Sequence, residues 1–406
     1  MNFALLFFFR EETLDMLNAN RLPDPVSPRY SYHRSINSLH KGVTGHRLAE
    51  SQLTGKSKPI RLGLLVPFHG TDAIWGPSCQ YSAVLAAVEI NRSQKVFGRE
   101  IELFAVDSGG SPEDVVQRCW ELVLNHEIDA LIGVHLSSVR VALREAFAGI
   151  IPYVFAPLYE GGETTPGVFA IGETPSQQFP AAIEWMIREK QSLNWHIVGN
   201  DYIWPRATHE TVRQIIEAKG GNVVGEDYLS LGEVDISAMI QRIKASKPDV
   251  IFESLVGSDC VAFNRAFAEA GLAGKVLRLS GSIEENTLIG IGAPHTENLY
   301  CAASYFNSLA TQENCTFMDR YRAAYGRSAP VQGVLSQSCY DAIHFFAALA
   351  ERAGCLSIAA LNKAFEGLTF HSVRGKQHIL SGKPDPKIYL AVANGIDYEI
   401  VKCLNE

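Results

Sequence analysis

Strand-to-helix junctions carry the side chains with chemistry to offer. Ser137 and Ser138 follow the apolar run at 128–136 and open a helical stretch. A hydroxyl there caps the helix by accepting from its first-turn N–H groups. The free N–H groups and the Ser137 hydroxyl also suit a ligand carbonyl or carboxylate oxygen, and the two roles are compatible. Tyr202 and Trp204, in GNDYIWPR, stand where a strand meets solvent. They are either packing residues or the flat walls of a pocket for a small planar molecule. In LVGSDC, Gly257 and Ser258 repeat a strand–Gly–Ser–helix layout, with Ser258 a donor toward a cleft and Asp259 a cap. Phe155 and Pro157 end the strand IPYVFAPL, and YEGG makes a rigid exit from it, in its plainest reading a turn. His69 stands alone after the first strand and reads as structural.

None of this assembles a catalyst. The chain has no GxSxG, HExxH, GxxxxGK[ST] or strand-linked GxGxxG. No spacing joins nucleophile, base and orienting group. The expectation is a binding protein without cofactor or catalytic metal. The eight cysteines form no CxxC, so no zinc ligand set is expected. They are scattered among apolar residues, as small core thiols in a reducing compartment are; Cys301 and Cys315 are the one pair worth weighing, and they are expected to stay apart. The net charge of −8 and the absence of a basic run argue against direct nucleic-acid binding.

The elements that must position these junctions are legible. From Ile60 onward, apolar strands alternate with amphipathic helices. Strands are expected at 60–68, 99–108, 128–136 and 151–158, then at 194–201, 221–232, 248–256 and 275–282. Helices are expected over 81–91, 112–125, 138–147, 208–219, 236–245 and 259–270, with a long one at 336–353. This order predicts an α/β protein with two doubly wound parallel-sheet lobes. Ligands of such sheets sit beyond the carboxyl ends of the strands, so facing lobes create a cleft lined by the loops after Phe68, Asp107, Val134, Ala156, Gly199, Val256 and Ser280. Residues 1–58 read as a disordered leader with a short helix at 11–18. The head MNFALLFFFREETLD lacks a basic start and a small-residue cleavage site. Export by this segment is disfavoured, and the expected location is cytoplasmic, with periplasmic as the alternative.

Taken in order, FGREIELFAVDSGGSPEDVVQ, LYEGGETTPGVFAIGETPSQQ and GNDYIWPRATHETVR resemble the type I periplasmic binding proteins. The similarity runs from Ile60 to Val401. It is strongest to the branch holding urea-transporter binding proteins and the amide-sensing negative regulator of aliphatic amidase operons. The resemblance implies a three-strand hinge with crossovers near Gly172, Tyr300 and Arg374. Lobe 1 is then 59–172 plus 300–374, and lobe 2 is 173–299 plus 375–406. It implies ligand contacts from Ser137 with Ser138 and His135, from Phe155 to Leu158, from Tyr202 and Trp204, and from Gly257 and Ser258. The acidic residue that holds the ammonium of amino-acid ligands falls at Ser282, with Glu284 and Glu285 close by. A desolvated ammonium needs a counter-charge, whereas urea and amides need only hydrogen bonds. The implied ligand is therefore a small neutral amide or urea. His135 replaces an aromatic residue and Pro157 a hydroxyl. The expected role is a cytoplasmic sensor of amide or nitrile metabolism, whose partner is an antiterminator-type regulatory protein, in a homo-oligomer. The alternative is the binding component of an ABC importer for urea, short amides or branched-chain amino acids, with a permease as partner.

Overall fold

The computed structural model describes residues 58–233 and 235–405. The leader expected at 1–58 falls almost wholly outside them. The first sheet is parallel, in the order β2-β1-β3-β4-β5. Its strands are β1 (Ile60–Val66), β2 (Ile101–Asp107), β3 (Ala130–Gly133), β4 (Tyr153–Phe155) and β5 (Val168–Ala170). Helices α1 (Gly76–Ser93), α2 (Pro112–Leu124) and α3 (Ser137–Phe147) make the crossovers. Strand β1 is buried at six of its seven positions, with only Arg61 less than fully covered. That continuous apolar run suits a strand covered on both faces.

The second sheet has the order β15-β14-β10-β9-β8-β6-β7. It contains β6 (Asn194–Asn200), β7 (Asn222–Leu229), β8 (Val250–Ser254), β9 (Leu277–Ser280) and β10 (Leu299–Ala303) in parallel. Strands β14 (Tyr389–Asn394) and β15 (Asp397–Cys403) add an antiparallel edge. Its helices are α4 (Pro175–Lys190), α5 (Ile203–Ala218), α6 (Ser237–Ser246), α7 (Gly257–Glu269) and the short α8 (Glu285–Ile291). Helices α9 (Gln312–Tyr325), α10 (Val334–Ala353) and α11 (Ile358–Phe365) follow, with α9 and α10 against α1 and α11 against α10. A small sheet of β11 (Thr369–Ser372), β12 (Gly375–Leu380) and β13 (Lys383–Pro384) precedes the return to β14.

The α/β class with parallel sheets in two lobes is thus as expected. Helices begin earlier than their periodicity suggests: α1 at Gly76 rather than 81, α5 at Ile203 rather than 208. First turns carry polar and proline residues, which blur the 3.6-residue pattern. Strand β5 and helices α8 and α11 are short, and the sequence reading passed over them. Tyr300 stays within the second sheet as part of β10, so the chain leaves that sheet after Ala303, later than the expected crossover.

The three connecting segments meet at one side chain. Arg374 donates to the Ser304 hydroxyl at 2.6 Å and lies 3.2 Å from the fully buried Asp341 and 3.9 Å from Glu173. Glu173 in turn accepts from the Ser304 N–H at 3.1 Å.

Candidate functional site

The loops after β1, β3 and β4 in one lobe face those after β6, β8 and β9 in the other. In each sheet the strand order reverses beside the first of these strands, and such a reversal opens a crevice. Between the lobes lies a slot with a free volume of about 30 Å³. Lobe 1 lines it with Trp75, His135, Leu136, Ser137, Pro157 and Leu158, and lobe 2 with Tyr202, Trp204, Val256 and Ser282. Leu335, from the start of α10, completes it.

Six residues singled out by themselves therefore come together here, His135, Ser137, Pro157, Tyr202, Trp204 and Ser282, and with them Leu158 from the implied segment 155–158. Four lie elsewhere. Phe155 is fully buried one layer below, its ring 5.1 Å from that of His135. Ser138 is half-buried in the first turn of α3 and outside the lining. Gly257 and Ser258 form the contact between the lobes rather than the wall of the slot: the Ser258 N–H donates to the Thr71 carbonyl at 2.8 Å. Gly257 adopts φ +50°, and a Cβ there would sit 1.9 Å from that same oxygen.

The serines do not cap as expected. Leu136 occupies the N-cap position of α3, with Ser137 already inside the helix. The Ser137 hydroxyl donates to Glu160 at 2.8 Å, so in this arrangement it turns lone pairs, not its proton, to other partners. Asp259 is also no cap: it accepts from the Asn200 amide at 2.7 Å and the Gly232 N–H at 3.0 Å, and Val256 opens α7.

Both nitrogens of His135 are committed, one to the Leu136 carbonyl at 3.1 Å and the other to the Tyr153 hydroxyl at 3.0 Å. Burial lowers its pKa to about 4. At neutral pH it is an uncharged flat wall, the equivalent of the aromatic residue it replaces. The Tyr202 phenol is pushed well up by burial, then by the negative charges of Asp72 and Glu160.

Behind Ser137 lies Arg140, 2% exposed. Its two terminal nitrogens are taken by Glu160, at 2.5 Å, and by Glu163, and its guanidinium lies 5.7 Å from the Phe155 ring. The nearest buried cation is thus already paired. Glu284 and Glu285, near the expected ammonium position, are outside the lining. Glu284 accepts from the N–H groups of Asn286 and Thr287 as the cap of α8, and Glu285 accepts from the Asn307 N–H at 2.5 Å. The wall itself contains no carboxylate and no cationic side chain.

Sequence reasoning missed Trp75, Leu136, Val256 and Leu335 as lining residues. Trp75 was findable, since it sits in the loop after β1. Leu335 comes from a helix nearly two hundred residues beyond Ser137 in the chain and carries no local signal. Among the described residues, all eight cysteines are free: Cys301 is buried and Cys315 exposed. No cluster of three or more metal-ligating side chains occurs among them.

Residues 59–395 match the family model described as periplasmic binding protein. The chain is 26% identical over 199 residues to the Leu/Ile/Val-binding protein BraC3 of Rhizobium johnstonii, covering 48% of this chain and 53% of that one. It therefore spans about half the length of this relative. It is 22% identical over 307 residues to Leu/Ile/Val-binding protein homolog 3 of Brucella melitensis, covering 73% and 79%. Among solved structures, an ABC-transporter solute-binding protein from R. palustris in complex with benzoate superposes with a TM-score of 0.74 at 22% identity. The match covers 85% of this chain and 96% of that one.

Proposed function

The chain belongs to the periplasmic binding protein family, and we propose that it is the solute-binding component of an ABC importer, closing its slot on a small neutral amide- or urea-like molecule. The importer role displaces the cytoplasmic sensor expected from sequence. The relatives are binding proteins, two of them for Leu/Ile/Val by name and one carrying benzoate in a transporter setting. None of them is a regulator. A periplasmic place of work and a membrane permease as partner follow from this reading.

The wall of the slot supports the ligand class. It is apolar and aromatic, with a few hydroxyls and no free charge. A bound carboxylate or ammonium would lose its hydration without a counter-charge, whereas a neutral amide exchanges water for hydrogen bonds. Closure then follows from a ligand that touches both lobes and so binds the closed state better than the open one.

The test is a thermal-shift panel of acetamide, urea, leucine and benzoate. A ligand that binds only the folded protein raises its melting temperature. Stabilisation by acetamide or urea is expected. A clear shift with leucine or benzoate and none with either neutral compound would end the amide reading while keeping the importer role. Ser137→Ala and Tyr202→Ala should each weaken the responding ligand about fivefold to tenfold, the worth of one hydrogen bond, with the fold intact by circular dichroism.

A further inference from the structure

Two tryptophans line the slot from opposite lobes: Trp75 follows β1 and Trp204 opens α5. Trp75 is 5% exposed and Trp204 2%. The indole N–H of each is buried and has no acceptor within the protein. Buried donors ordinarily find partners, and an unmatched one in a native structure calls for an explanation. An indole nitrogen only donates. Packing alone does not explain the pair, because a phenyl ring would supply the same flat apolar wall without the cost of a desolvated N–H. Trp195 shows the ordinary case, its indole N–H donating to the Ser192 carbonyl at 3.1 Å.

We infer that the indole N–H groups of Trp75 and Trp204 are specificity-determining donors that read an acceptor oxygen of the ligand, one from each lobe. The inference rests on the proposed ligand class and deepens it. A ligand with an exposed carbonyl satisfies both donors only when the lobes are together. Recognition of the acceptor and closure of the cleft are then one event. A ligand of the same shape without a good acceptor leaves both donors buried and unpaired, the situation in which polar sites discriminate most strongly.

The test uses the whole chain with Trp75→Phe and Trp204→Phe, and the closely related pair acetamide and thioacetamide, whose sulfur is larger and the poorer acceptor. Wild-type protein is expected to prefer acetamide by tenfold or more, and each variant to lose most of that preference through weaker acetamide binding. Without ligand, each variant should keep the wild-type fold by circular dichroism, with a melting temperature lowered only by the buried volume it gives up. Equal preference for acetamide in wild type and variants would overturn the inference and leave the proposed function standing. Failure of every acceptor-bearing compound of the panel to bind wild-type protein would remove the proposed function and this inference together.

Discussion

Asp72 shows how much one side chain can decide. It sits beside Thr71, whose carbonyl receives the bond from the opposite lobe. It is 3% exposed, and its Oδ2 has no hydrogen-bond partner. Burial raises its carboxyl pKa to about 7, helped by the charge of Asp107 and opposed by its own backbone N–H and by His69. Tyr202, from the other lobe, lies close enough to feel its charge. The folded protein therefore holds this proton more tightly than the unfolded chain, whose carboxyl titrates near 3.8. The stability it contributes is fully present below the unfolded value and is lost as pH rises through about 7. Because the carboxylate is desolvated at the contact between lobes, opening relieves the charge, and the closed form should take up the proton. Ligand affinity is expected to fall as pH rises from about 4 to about 7 and to level off above that, and Asp72→Asn should flatten that profile. Titration calorimetry across this range checks it; an unchanged slope in the variant would assign the pH dependence elsewhere.

Elements place the site through their ends. The slot is built from loops at the carboxyl edges of the two sheets and from the first turns of α3, α5 and α10. Such loops were identifiable from the strand pattern, because short apolar runs bounded by turn residues and alternating with helical periods mark where strands end. That is why His135, Ser137, Pro157, Tyr202, Trp204 and Ser282 were identifiable together. Ser138 and Phe155 were not separable from them, since one residue along a helix turn or a strand changes which way a side chain points. Gly257 illustrates the remaining gap. The resemblance implied a ligand contact there, but what approaches is Thr71 of the other lobe. Gly257→Ala should be tolerated in the open form, apart from about 1 kcal/mol for the left-handed backbone. It should abolish closure, because its Cβ would meet the Thr71 carbonyl. Small-angle scattering should then show no ligand-induced compaction, with affinity down at least tenfold by the population argument. Normal compaction of the variant would mean that closure does not require this contact.

At the scale of the molecule, the two lobes are joined by segments that converge on Arg374. Its partners Asp341 and Glu173 are 0% and 2% exposed. Removing one member of a buried ionic group leaves uncompensated charge and costs about 3–5 kcal/mol. Arg374→Met is expected to lower the melting temperature by roughly 10 °C, at the few degrees per kcal/mol typical of domains this size. Adding Asp341→Asn should recover much of the loss in scanning calorimetry. A melting temperature unmoved by Arg374→Met would show that the cluster does not hold the crossover together.

Alternation of apolar strands with helices determined, by itself, the α/β class, the two lobes and the loops at their carboxyl edges. Those properties follow from local hydrophobic periodicity. The packing of the lobes against each other decided the rest. It committed the Ser137 proton to Glu160 and spent the charge of Arg140 on two carboxylates. It brought Trp75 opposite Trp204 and turned Gly257 from a wall of the pocket into the contact that closes it. Each of these depends on which distant atoms arrive within a few ångströms, and contacts of that kind leave no period in the chain.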